Sequence, residues 1–97
     1  MTSYRRRNRF AAEFERLSSE EQKAFRDAVA RFVTALREGR TPDNGLGIRQ
    51  MTNNPGVYEF HFSQRGRATF HYGTEERGKD AEVVWRRIGG HEIYRRP

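Results

Sequence analysis

Halfway along this chain the spacing of apolar residues changes from about 3.6 to 2, the periods of a helix face and a strand face. Few folds accept both periods in that order. In the first half, Phe10, Phe14 and Leu17 recur at i, i+4 and i+7, which places them on one helix face with Glu13, Glu15 and Arg16 turned outward. Ser18 and Ser19 interrupt the pattern, and Glu21 and Gln22 follow three residues later. That spacing lets a serine and an acid satisfy the free N–H groups at a helix start. A second helix therefore begins there. Its stripe is Phe25, Ala28, Val29, Phe32, Val33 and Leu36, and Gly39 stops it after Arg37 because glycine adopts positive φ readily. The two helices are expected to form a hairpin.

From Arg40 to Gly56 the apolar Leu46, Ile48 and Met51 are spread among Gly, Pro and Asn, which predicts a loop pinned to the core. Beyond it the period of two gives three strands, Val57 to Ser63, Arg67 to Tyr72 and Glu82 to Ile88. A tight turn at Gln64 to Gly66 and a longer polar loop, Gly73 to Lys79, join them. Tyr4 to Arg7 can add a fourth strand. A sheet this small needs a cover, and the helices supply it. The expected fold is α+β: an N-terminal helix hairpin packed on one face of a small, mainly antiparallel sheet of three to four strands. At 97 residues the expectation is a single domain over 1–97.

Only 34% of the residues are hydrophobic, so the core must be carried by seven Phe, four Tyr and one Trp, which bury large areas each. No apolar run approaches the roughly 18 residues of a membrane span. Nor does an apolar stretch follow the basic start as in a secretory signal, so the expected location is cytoplasmic, with no membrane partner. The absence of cysteine removes disulfides, thiolate catalysis and cysteine-based zinc sites. The formal charge of +6 is almost wholly arginine, since only Lys23 and Lys79 are lysines. Arginine's planar fork pairs two oxygens of a phosphate or carboxylate at once, which suits RNA, DNA or an acidic protein. Charge alone does not choose among them, and a GC-rich genome yields the same bias on any solvated face.

Strand alternation sorts the second half into two faces. Tyr58, Phe60, Phe62, Ala68, Phe70, Tyr72, Val83 and Trp85 would meet the helices. Glu59, His61, Arg67, Thr69, His71 and Arg86 would share the other face, and a β-bulge would exchange faces locally. A carboxylate, two imidazoles and two guanidiniums together match what cleavage of RNA by its own 2′-hydroxyl requires. One group takes the hydroxyl proton, one protonates the leaving oxygen, and cations hold the phosphate. Half-exposed sheet faces also carry such residues merely as cross-strand pairs.

With these residues placed, the chain resembles the RelE/ParE superfamily of type II toxins along nearly its whole length. Phe10 to Leu17 looks like the family's FxxxFxxL first helix, RATF at Arg67 to Phe70 like its R-V-I-Y strand, and IGGHEIYRRP like its closing G-x-H-x-x-Y/F segment. The resemblance implies a ribosome-dependent mRNA endoribonuclease that inhibits translation, working in the ribosomal A site without metal or other cofactor. It implies phosphate stabilisation by Arg67, and the YafQ-like branch implies catalytic histidines at His61, in EFHF, and at His91. That branch has an aspartate where this chain has Arg65, which can hold phosphate but cannot act as a carboxylate.

The candidate catalytic set is therefore His61, Arg67, His91, Glu59 and Arg86, with Glu59 orienting a histidine or taking the base role. Candidate RNA contacts are Arg65, His71, Arg87, Tyr94, Arg95 and Arg49, with Arg40 and the run Arg5, Arg6, Arg7 and Arg9 as further backbone contacts. Gly89 and Gly90 should turn the chain so that His91 lies over the polar face, with Ile93 and Tyr94 as anchors. The resemblance also implies a cognate antitoxin with an acidic or amphipathic segment, mRNA and rRNA as partners, and DNA only through an antitoxin complex. Two other readings stay open on the same fold, a ParE-like DNA gyrase inhibitor without nuclease activity and an inactive toxin-like binding module.

Overall fold

A computed structural model describes residues 3–42, 44–76 and 80–97. In chain order the elements are strand β1 (Ser3–Arg6), helix α1 (Asn8–Glu15), helix α2 (Ser19–Arg37), a 3₁₀ turn (Asn44–Leu46), strands β2 (Arg49–Gln50), β3 (Tyr58–His61), β4 (Arg67–Tyr72) and β5 (Glu82–Gly89), and a closing 3₁₀ helix (His91–Arg95). The end of the polar loop expected over Gly73 to Lys79, and position 43 in the loop before β2, lie outside the described residues.

The start of α2 follows from its sequence. The Ser18 hydroxyl accepts the Glu21 N–H at 3.1 Å and the Glu21 carboxylate accepts the Ser18 N–H at 3.4 Å, so two otherwise orphaned donors are satisfied. Gly39, at φ +65°, ends the helix as expected. The stripe of α2 then lies on the sheet through Phe25 and Phe32. Trp85 sits at the middle of the aromatic core, with the Phe25 and Phe60 rings each 5.0 Å away and Phe70 at 5.3 Å, mostly edge-on. Such pairs add about 0.5–1.5 kcal/mol each beyond the area they bury.

The sheet has five strands in the order β1-β5-β4-β3-β2, one more than the three or four expected. The addition is β2, two residues of the predicted loop, where Arg49 pairs with Glu59 and Gln50 with Tyr58. All neighbours are antiparallel except β1 and β5. β1 runs only as far as Trp85, where the Arg7 N–H bonds the Trp85 carbonyl at 3.0 Å and the chain turns into α1. The rest of the β5 edge would be left unpaired, and α1 lies along it. Glu13 accordingly does not point outward as its helical position suggested. Its carboxylate accepts the Ile88 N–H at 3.4 Å and pairs with Arg87 at 2.6 Å.

The faces divide as alternation predicts up to a bulge in β5. Phe70 pairs with Trp85 but Thr69 pairs with Arg87, leaving Arg86 as the extra residue. Beyond the bulge the alternation is reset: Ile88 enters the core at 1% exposure and Arg87 joins Thr69 on the opposite side.

Candidate active site on the polar sheet face

The side of the sheet away from α2 is not an open surface. After Gly89 the chain folds back through the 3₁₀ helix. Ile93 is buried, and the Pro97 oxygen accepts hydrogen bonds from the Thr69 hydroxyl and Arg86 Nε, both at 3.0 Å. Thr69 is thereby fully buried. The Glu92 carboxylate folds back to accept the Gly90 N–H at 3.0 Å. Bonds from its own and the Gly90 backbone N–H hold that carboxyl below the usual range. The turn that starts the tail is thus fixed by its own residues.

The tail divides the predicted residues into two groups. The first gathers around Glu59, whose side chain is 9% exposed. One carboxylate oxygen takes Arg49 Nε at 3.1 Å and the other faces His61 Nε2 at 3.3 Å. The 3₁₀ turn before β2 shapes the other side of His61. A Cβ at Gly47, which has φ +57°, would stand 2.6 Å from the imidazole, so glycine is needed there for both backbone and space.

Tyr94 stands beside Glu59, Arg67 and Arg49. Its hydroxyl is buried and within reach of the Glu59 carboxylate, but not aligned closely enough for a normal hydrogen bond. Burial first, and the Glu59 charge second, push that hydroxyl's pKa up, so it stays protonated. The exposed His91 ring packs edge-on against Tyr94 at 5.0 Å. Arg67 Nη1 is tied to the Ser63 and Gly66 carbonyls at 3.0 and 2.9 Å, which fixes the direction of its guanidinium.

The second group lies toward β1. Arg86 Nη1 meets His71 Nδ1 at 2.9 Å. Since a guanidinium only donates, Nδ1 is the acceptor and the imidazole proton sits on Nε2. Burial, then the charges of Arg86, Arg7 and Arg5, hold the His71 pKa below its ordinary value. Burial, followed by the charge of Arg7, lowers that of Arg86 as well. Arg87 donates to Glu13 and to the Arg96 carbonyl, Arg95 is exposed on the tail, and Arg65 stands exposed in the β3–β4 turn. Arg40 pairs with Glu38 on the surface.

Of the predicted set, the structure brings together Arg49, Glu59, His61, Arg67, Tyr94 and His91, and it places Arg86, His71 and Arg87 in the other group. Glu59, Thr69 and Arg87 form one cross-strand row. With strands about 4.8 Å apart, the backbones at Glu59 and Arg87 are therefore about 10 Å apart. The sequence reading missed Gly47 and Glu13. A Gly beside Leu46 gives no sign of which distant ring it accommodates, and Glu13 reads as solvated until β1 is known to stop short. Among the described residues no group of three or more His, Asp or Glu is placed to hold a metal.

No protein-family model and no curated protein sequence matches the chain. Solved structures do. A chain of the E. coli DinJ–YafQ complex superimposes with a TM-score of 0.68 at 8% identity, covering 96% of this chain and 97% of that one. A chain of the RelB–RelE antitoxin–toxin complex from Methanococcus jannaschii gives 0.67 at 10% identity, covering 94% and 95%. The fold is that of the RelE-like toxins. A metal-bound toxin from Helicobacter pylori shares this RelE-like fold, with a TM-score of 0.68 at 10% identity over 95% of this chain and 97% of that one. These likenesses span both chains almost completely, so the helix pair, the sheet and the closing tail all belong to the shared architecture.

Proposed function

We propose that this chain is the toxin of a type II toxin–antitoxin system and a ribosome-dependent mRNA endoribonuclease that blocks translation. The observation that carries the reading is the Glu59 cluster: one buried carboxylate shared by Arg49 and His61, with Tyr94 beside it and His91 packed on Tyr94. One imidazole faces a fixed anion and a second packs on the tyrosine beside that anion, which is a suitable arrangement for moving a proton on and off a substrate.

In the reaction, one histidine of the pair takes the proton of a 2′-hydroxyl and the 2′-oxygen attacks the adjacent phosphorus. The bond from phosphorus to the 5′-oxygen breaks, and the other histidine returns a proton to that oxygen. The products are a 2′,3′-cyclic phosphate, which water can open to a 3′-phosphate, and a 5′-hydroxyl. Glu59 orients His61 and balances the charge it gains, while Arg67, held rigid by two carbonyls, stabilises the dianionic phosphorane. Arg86 and Arg87 serve the neighbouring stretch of backbone. Arg65, at the turn, and Arg95, on the tail, are placed at the margins where flanking phosphates or rRNA would lie.

A cognate antitoxin is the expected protein partner, since two of the chains that share this fold come from the DinJ–YafQ and RelB–RelE complexes. A gyrase inhibitor would have no use for a carboxylate–imidazole pair with a second imidazole on the adjoining tyrosine. Primer extension on mRNA from cells expressing the chain separates the two readings. Breaks within translated messages, lost in a His61→Ala, His91→Ala variant, are expected. Growth arrest with intact transcripts would overturn the nuclease reading.

A further inference from the structure

Beside the tail, on the polar face of the sheet, lies a concavity of about 460 Å³ lined by Asn54, Pro97 and six arginines, Arg7, Arg9, Arg86, Arg87, Arg95 and Arg96. Among the described residues no acidic side chain lines it, and the carboxylate of Glu13 is already committed to Arg87. The side chains of Arg7, Arg9, Arg95 and Arg96 make no hydrogen bond or ion pair with another described residue. Six guanidiniums around one hollow repel each other. The lowered pKa of Arg86, caused first by burial and then by Arg7, is one expression of that crowding. The start of α1 adds to it: Arg7 is the N-cap, with no side-chain cap, and no acidic residue stands in the first turn, where the helix dipole favours one. Such an arrangement costs stability unless an anion fills it.

We propose that this concavity is a second phosphate-binding site, one that grips the backbone of a single-stranded RNA beside the segment being cut. The choice of RNA rests on the nuclease reading above; the choice of a polyanion does not. The oxygen-binding geometry of the site is already visible in the tail. Arg86 Nε holds the Pro97 oxygen at 3.0 Å and Arg87 Nη1 holds the Arg96 oxygen at 3.2 Å, so both guanidiniums are oriented for oxygen ligands. Phosphate is favoured over an acidic peptide by the lining itself. Apart from Pro97 its described lining offers no apolar side chain, and a bound peptide draws much of its affinity from apolar anchors. The planar forks match phosphate oxygens pairwise.

Fluorescence anisotropy tests this with a labelled single-stranded RNA whose 2′-oxygens are methylated, so that binding is read without cleavage. A glutamate-rich peptide of equal charge is run beside it through the same salt series. The full chain is expected to bind the RNA more tightly than the peptide. The Arg7→Gln, Arg9→Gln, Arg96→Gln variant should lose roughly tenfold or more in affinity, with a salt dependence shallower by about 2 in log–log slope. Its Tm at low salt should equal or exceed that of the unaltered chain, because like charges have been removed. Arg96→Gln alone, on the exposed tail, provides the milder variant and should lose affinity in the same direction. The methylated RNA is bound but not cut, so a failure of the nuclease reading leaves this result readable. Unchanged binding by both arginine variants, or no RNA binding by the full chain at about 50 mM salt, would overturn the site. Peptide binding as tight as RNA binding would overturn the RNA assignment and give the hollow to a protein partner.

Discussion

His61 and His71 stand on neighbouring strands and face the same side of the sheet, yet they are built into opposite surroundings. His61 faces a carboxylate at 3.3 Å in a slot that Gly47 leaves open. His71 accepts a bond from Arg86 at 2.9 Å, with Arg7 and Arg5 adding positive charge. An anion next to an imidazole stabilises its protonated form, whereas burial and cations remove it. The same residue type thus faces a carboxylate on β3 and accepts a guanidinium bond on β4. Position on the sheet face does not assign a role; the partner does.

The largest effect expected from this contrast is on cleavage. His61→Ala should lower the rate of message cutting on ribosomes by about 10²- to 10⁴-fold, the range for losing a general acid or base. His71→Ala should lower it less than tenfold, and equal losses in the two variants would erase the distinction.

A second effect tests the half of the sheet near β1, where the arginines hold structure together. Glu13→Ala should destabilise the fold by about 2–3 kcal/mol in denaturant titration, because it leaves the half-buried Arg87 and the Ile88 N–H without their acceptor. A loss within about 0.5 kcal/mol would mean that α1 does not seal the β5 edge in solution.

Acid titration sharpens the comparison further. The folded chain holds the His71 pKa below its unfolded value of about 6.5, so the unfolded state takes the proton more readily. The stability it contributes is full above that value and falls as pH drops through it toward the lower folded pKa. Thermal melts from about pH 7.5 downward should therefore show a decline that is shallower in His71→Gln. A steeper decline in the variant would reverse the assigned sign.

The smallest effect concerns Tyr94. Its buried hydroxyl makes no hydrogen bond, so Tyr94→Phe should change stability by no more than about 0.5 kcal/mol. A loss of several-fold in cleavage without loss of stability would place the hydroxyl in contact with RNA.

Much of this was legible in the chain itself. The two periods gave both helices and three strands, β4 to the residue and β5 within one, while α1 starts two residues earlier and β3 ends two residues sooner than the pattern suggested. Ser18 and Glu21 marked the start of α2 through a short-range bond that sequence spacing alone determines. Three things were not legible. β2 is held by pairing with β3 rather than by propensity, so two polar residues, Arg49 and Gln50, gave no strand signal. The bulge at Arg86 is a matter of how β5 pairs with β4, and it decides that Arg87 faces the tail while Ile88 enters the core. The tail's path over Thr69 separates His61 from His71, and no local pattern in IGGHEIYRRP reveals where its last oxygen lands.

The chemistry of the cut ends tests the central claim most directly. Messages cleaved on ribosomes by the purified chain should carry a 2′,3′-cyclic phosphate or 3′-phosphate on the upstream fragment and a 5′-hydroxyl on the downstream one, with both fragments lost in the His61→Ala, His91→Ala variant. Downstream fragments bearing a 5′-phosphate, or cleavage that survives in the variant, would contradict a reaction run by the 2′-hydroxyl and the histidines around Glu59.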